Sequence, residues 1–246
     1  MDRLIYTAMT GAKSLLDRQA VVSNNLSNIS TLGYRAETTA FQGMLVRGQG
    51  MLTREMVTES TTGVDFTPGP LQQTGRDLDI AVQGKGWIAV QAPDGSEAYT
   101  RAGSFRISTE GNLETHTGYQ VLSDAGPIAI PADTTITIGA DGTISAIPTQ
   151  PPLTSVSVVG RIKLVNPDEK DLKKGIDGLF RVADGTAPVD ETVTLIGGAV
   201  EGSNVNPAEA IVSMIAVARQ FELQMKMLQN AEANAQQADQ ILAINV

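Results

Sequence analysis

The chain has 246 residues, 41% of them hydrophobic, enough to fill the core of one large or two medium domains. Aromatic residues make up only 4%, whereas 24 glycines and 11 prolines favour a turn-rich β body with an aliphatic interior. The absence of cysteine excludes disulfides, thiolate catalysis and thiolate metal sites, and a net charge of -9 argues against a nucleic-acid binder, whose phosphate contacts need clustered Lys and Arg.

The opening "MDRLIYTAMTGAKSLLDRQ" spaces Asp2, Lys13, Asp17 and Arg18 so that no long apolar run forms. No secretory signal and no membrane span are expected, and any export uses another route. Ile5, Ala8, Ala12, Leu15, Gln19, Val22, Leu26 and Ile29 alternate spacings of three and four, and only Gln19 among them is polar. Such a repeat predicts the seam of a helix that packs lengthwise on another helix. Gly33 is the expected stop, since glycine takes the left-handed conformation after a helix end without Cβ strain. Asn24, Asn25 and Asn28 crowd the last turns on a face beside the apolar one. A solvated or capping patch is one reading of these amides; hydrogen bonding across a covered interface is the other.

Residues 37–75 fit neither periodicity, and "TTGVDFTPGPLQQTG" predicts an extended connection. From 76 to 205 the pattern is of short β-rich runs ("DLDIAV", "GWIAVQA", "EAYTRAGSFRIS", "YQVL", "TTITIG") divided by the turn sequences "PDG", "EGN", "DAG" and "ADG". This predicts a mainly antiparallel β domain, with "TQPPLTS" (149–155) as a polar, proline-rich loop. Gly84, Lys85, Gly86 and Ala89 form a GxGxxA frame, but a dinucleotide site needs a helix next and a β-like run follows, so a hairpin turn is expected instead. Asp94, Asp124 and Asp141 are single and well separated, which suits turns rather than a calcium loop. His116 is the sole histidine and no acid or nucleophile cluster frames it, so no catalytic site, metal site or cofactor is expected.

The last segment opens with a helix start: Asn206 as N-cap, Pro207 at the first position and Glu209 at the third. Ile211, Met214, Ala218, Phe221, Met225 and Leu228 then keep the three-four spacing, and the stripe shifts to Ala231, Ala235, Ala238 and Leu242. No Gly or Pro interrupts 208–246, so one long helix is predicted. The expected architecture is α+β: a discontinuous helical domain (1–32 and 206–246) whose helices pair in coiled-coil fashion, a connection (33–75) and a central β domain (76–205). The residues alone leave open a secreted β-rich binding protein with a helical stalk.

"YTAMTGAKSLLDRQAVVSNNLSNISTLGYRA" resembles the N-terminal signature of the flagellar rod and hook family, an Asn-Asn-Leu-x-Asn core (Asn24, Asn25, Leu26, Asn28) before Gly33, Tyr34 and Arg35. Residues 77–105 resemble the family's β-domain signature, and 201–222 its C-terminal helix start. The opening, the "EGSNVNP" block and the modest length are most similar to proximal rod members, with distal rod members the runner-up; hook proteins carry larger inserted domains. The resemblance implies a structural subunit of the basal-body rod, self-assembling with proximal and distal rod proteins into a tube across the periplasm. It further implies export by the flagellar type III apparatus without a cleavable signal peptide, and no nucleic acid, membrane insertion or cofactor. The assembly surface it implies is the two stripes: Ile5, Ala8, Ala12, Leu15, Val22, Leu26 and Ile29 with the three asparagines and Gly33, facing Ile211, Met214, Ala218, Phe221, Met225, Leu228 and Leu242. On this reading the amides fix helix register, as a buried Asn does in coiled coils.

Stability independent of divalent metal follows from the turn reading of the aspartates. Adding EDTA should leave the melting temperature unchanged, and a fall of several degrees would contradict that reading.

Overall fold

The computed structural model describes residues 2–45, 55–149, 156–183 and 185–244, and the side chains of 8–40, 63–149, 156–183, 185–234 and 236–237. The fold is α+β, with one helix at each end of the chain and antiparallel strands between. It divides into two compact units, one of 1–28, 36–65 and 205–246, the other of 29–35 and 66–204.

In the first unit, α1 (Asp2–Ser27) packs against α2 (Pro207–Ile244). The expected start of α2 is present: the Asn206 side-chain oxygen accepts from the amides of Ala208 at 3.1 Å and Glu209 at 3.4 Å. The 38 residues of α2 run without a break, as the lack of Gly and Pro predicts. The end of α1 differs from expectation, for the helix stops at Ser27 rather than continuing to residue 32. Local side chains compete for its last carbonyls: Ser27 Oγ donates to Ser23 O (2.9 Å) and Asn28 Nδ2 to Asn24 O (2.9 Å). Part of the stretch read as a connection is a long antiparallel ribbon in this unit, β1 (Glu37–Leu45) against β2 (Glu55–Val64), with a bulge between Ala40 and Phe41. Both strands also pack on α1.

The second unit is the β domain. Short strands β3 (Leu71–Gln73) and β4 (Ile80–Gln83) open it, followed by β5 (Trp87–Gln91), β6 (Glu97–Thr100), β7 (Phe105–Ile107), β8 (Leu113–Thr115) and β9 (Gln120–Ser123). The main sheet sets β5 between β6 and β9, with β8 and β7 beyond β9 and strands 180–182 and 172–174 beyond β6. A three-stranded sheet (134–138, 143–148 and 157–161) stands beside it in the chain. The domain is closed by its own ends: 194–197 pairs with β4 and 199–201 with β3, bringing Glu201 opposite Leu71. The main core cluster is largely aliphatic, built from Ile80, Ile88, Val90, Leu113, Val121, Ile144, Ile162 and their neighbours with Phe105, and Trp87, Tyr99 and Phe180 are also buried in this unit.

The aspartates expected in turns are there. Asp94 accepts from the Ser96 amide and hydroxyl, Asp141 from those of Thr143, and Asp124 lies in the turn closed by Ser123 Oγ on Gly126 O. The side-chain bonds from Ser96 and Thr143 hold both carboxyls below their ordinary pKa. His116 is exposed. Residues 84–86 do not form the expected hairpin: β4 and β5 pair with different partners, so this glycine pair is a bend that passes the chain between two sheets. Most of "TQPPLTS" (150–155) lies outside the described residues.

Two substitutions probe this packing. Ile144→Ala empties a fully buried core position and should cost about 2–5 kcal/mol in urea unfolding. Gly103→Ala would bring a Cβ to within 1.8 Å of Ile80 O, a backbone atom that cannot turn aside. It should cost at least about 1–3 kcal/mol by the same measurement.

Candidate assembly helices and a buried arginine-glutamate cluster

The predicted stripe of α1 lies on one side of the helix. Ala8 is buried and Ala12, Leu15, Val22 and Leu26 are half-buried, while Met9, Leu16, Asn24 and Ser27 are exposed. Ile29 is half-buried but falls beyond the helix and in the β unit; the side chains of Ile5 and Leu242 lie outside the described ones. On α2, Met214, Ala218, Phe221 and Leu228 are half-buried, whereas Ile211 and Met225 are 48% and 40% exposed. Among the described residues of α2 the buried positions are Ala210 and Val217, which lie outside that stripe.

Two stripes interleave on α2. Ala210, Met214, Val217, Phe221, Gln224 and Leu228 also follow three-four spacing, sharing Met214, Phe221 and Leu228 with the predicted one. Polar Gln224 hid this second stripe from a purely apolar search. Its side chain faces α1, with Nε2 donating to Ala8 O at 3.0 Å and lying 3.1 Å from where a Cβ on Gly11 would stand. Ile211 and Met225 are exposed on the outer side of α2 together with Val212, Ile215, Leu223 and Met227, where the charged side chains of Arg219, Glu222 and Lys226 are interspersed among them.

The three asparagines make hydrogen bonds within the chain. Asn25 pairs with the Glu37 backbone in both directions, Nδ2 to Glu37 O and Glu37 N to Oδ1, each at 2.8 Å. An amide side chain thus imitates a strand neighbour and ties the last turn of α1 to the first residue of β1. Asn28 Nδ2 reaches both Asn24 O and Asn24 Oδ1 at 2.9 Å, and Asn24 Nδ2 lies 3.4 Å from Glu37 Oε2.

Gly33 has φ of 67°, the left-handed value expected, but as part of a docked loop. A Cβ there would fall 2.4 Å from Ala102 N, and the Gly33 amide donates to Glu201 O at 2.8 Å. Beside it the β unit buries a charge cluster that sequence reading did not assemble. Arg35 and Glu201 are each 1% exposed, with Arg35 Nη2 2.6 Å from Glu201 Oε1. Arg101 Nη1 meets the other carboxylate oxygen at 3.2 Å. Arg101 also donates to Val82 O at 3.4 Å and Gly84 O at 2.7 Å, and the Gly69 amide donates to Glu201 Oε1 at 2.9 Å. Both guanidinium carbons stand over the Trp87 ring, at 5.9 Å for Arg35 and 5.3 Å for Arg101, and Trp87 packs on Phe66 and Phe180. Burial is the main cause that lowers the Arg101 pKa, opposed by Glu201 and assisted by Arg35; a guanidinium so placed still carries its charge at neutral pH. Arg35, Arg101 and Glu201 are far apart in the chain, yet each lies in one of the three blocks quoted for the family resemblance.

Among the described residues, no three His, Asp or Glu gather in a way that could hold a metal ion, and no helix is long and apolar enough to cross a membrane.

Comparison with known proteins places these blocks. Residues 5–35 match the family model for flagella basal body rod proteins, 81–146 that for the flagellar hook protein FlgE/F/G D1 domain, and 196–241 that for the flagellar basal body rod FlgEFG protein C-terminal region. The chain is 46% identical over 252 residues to the flagellar basal-body rod protein FlgF of Escherichia coli K12, and 44% identical to FlgF of Salmonella typhimurium LT2, each covering 100% of both chains. It is 31% identical to the rod protein FlgG of Buchnera aphidicola subsp. Acyrthosiphon pisum, over 96% of this chain and 98% of that one. Full-length identity at this level, with all three signature blocks in order, shows that the chain belongs to the flagellar basal-body rod family and is a structural rod subunit of the FlgF type.

Proposed function

We propose that this subunit builds the proximal rod by packing its terminal helices, as a coiled-coil-like pair, against helices of neighbouring copies and of other rod proteins. The observation that carries the reading is the set of large apolar side chains exposed on α2, with Val212 67% and Leu223 65% exposed and Ile211, Ile215 and Met227 also open, interspersed with Arg219, Glu222 and Lys226. A helix gains most of its stability from what its apolar side chains pack on, and these positions suit burial against a neighbouring helix. The inner stripe, with Gln224 against Ala8, holds the pair together within the chain, while the outer one meets the next subunit. The residues that form these contacts are the predicted set on both helices, extended by Ala210 and Val217.

The role is mechanical and not catalytic. The chain reaches the rod through the flagellar type III export apparatus, and the assembled rod crosses the periplasm. The asparagines act one step behind the interface, by fixing how α1 meets β1 in each copy.

Three substitutions separate these roles. Ile215→Asp alters an exposed position, so the isolated chain should lose less than about 0.5 kcal/mol, while rods and swimming fail because a carboxylate would be buried between subunits. Leu15→Asp should also stop assembly but unfold the helix pair, leaving the β unit intact by circular dichroism. Asn25→Leu leaves the Glu37 amide and carbonyl without their partner, a loss of about 1–3 kcal/mol per unmade bond. Cells carrying it should export the protein and complete few rods; wild-type rod numbers in basal-body preparations would refute the role given to Asn25.

A further inference from the structure

Within the first unit, apolar stripes alone do not fix how far α1 sits along α2. Ala8, Leu15 and Val22 recur every seven residues, as do Met214, Phe221 and Leu228. A slide by one heptad, about 10 Å along the axis, exchanges one apolar residue for another and so costs little contact. The helix pair breaks this degeneracy at one place. Gln224 is half-buried in the inner stripe, and its Nε2 donates to Ala8 O at 3.0 Å. The amide lies against Gly11, where a Cβ would stand 3.1 Å from Nε2 and 3.6 Å from Cδ. Gly11 is the only glycine of α1, at an interior position where glycine weakens a helix.

We propose that Gly11 and Gln224 form a register lock, a socket and an amide that together select one axial offset of α1 on α2. Displacing α1 by a heptad in either direction puts Leu4 or Arg18 where Gly11 stands. Either side chain fills the socket and keeps the Gln224 amide from the backbone carbonyl it bonds. An amide left in the seam without a partner disfavours that offset. The apolar stripes supply adhesion, and the amide supplies the choice between offsets. Gln224 is thus a positioning residue for assembly, because the offset sets where the outer side of α2 presents its apolar side chains. The lock deepens the helix-pair reading, but it acts within one chain and rests on the α1–α2 packing rather than on what the outer side of α2 meets.

The chain has no cysteine, so Lys13→Cys and Gln220→Cys, both at exposed positions, carry a pair of spin labels with no competing thiol. Double electron-electron resonance on the full chain labelled in this way should give one narrow distance distribution. Gln224→Leu continues the inner stripe with a good helix former, so the helices should stay paired. It should nevertheless add a second population, displaced by the heptad slide of about 10 Å along the axis. Gly11→Leu, with Gln224 retained, should add the same second population. Two distances in the chain with both Gly11 and Gln224 in place overturn the proposal. A Gln224→Leu chain that keeps the single original distance overturns it, and so does one whose helices separate, since the amide would then be adhesive. An unchanged distribution in Gly11→Leu removes the socket and overturns it as well. Failure of the outer-side reading shows instead as Ile215→Asp rods that assemble, an outcome this distance measurement does not depend on.

Discussion

One carboxylate holds three distant parts of the chain together. Glu201 accepts from Gly69 and meets Arg35 and Arg101, out of contact with water. Taking such charges from water is costly, and their attraction offsets that cost only when the geometry is good and the other polar atoms are satisfied. Here the surplus positive charge is spread over the Val82 and Gly84 carbonyls and the face of Trp87. Removing one partner of such a pair leaves a buried charge uncompensated, which typically costs about 3–5 kcal/mol.

Glycine makes this closeness possible. Gly33 lies against the backbone of 101–102, Gly69 against Gly202 O and Gly103 against Ile80 O, each nearer than any Cβ allows. The residues that bracket the cluster are thus chosen by space, and those inside it by charge. The family blocks "LGYR", "YTRAG" and "VEGSN" each contain both kinds, a small residue that lets backbones meet and a charged one that bonds where they do.

Much of this was legible in the sequence where periodicity is long. Both helices, the Asn206 cap and the antiparallel β middle follow from spacing and turn residues, because local rules act within a few residues. The end of α1 is not legible, because Gly33 suits a helix stop and a close approach equally, and only the fold says which applies. The ribbon of β1 and β2 escaped notice since threonine-rich strands show no apolar alternation. Of the α2 contacts, Val217 and Gln224 were hidden by a stripe that shares half its members. Arg35, Arg101 and Glu201 left no linear signal at all; their partnership is a product of tertiary folding, and strand 199–201 is too short to be read from pattern.

The pairing of β3 with strand 199–201 has an evolutionary consequence. It sets the point where the chain enters the β unit beside the point where it leaves, with Leu71 opposite Glu201. A module whose two ends are neighbours can be enlarged, trimmed or exchanged without disturbing whatever flanks it, as domain insertions in general succeed at such places. The β body can therefore acquire new loops at its turns while the helices at the ends of the chain keep their sequence.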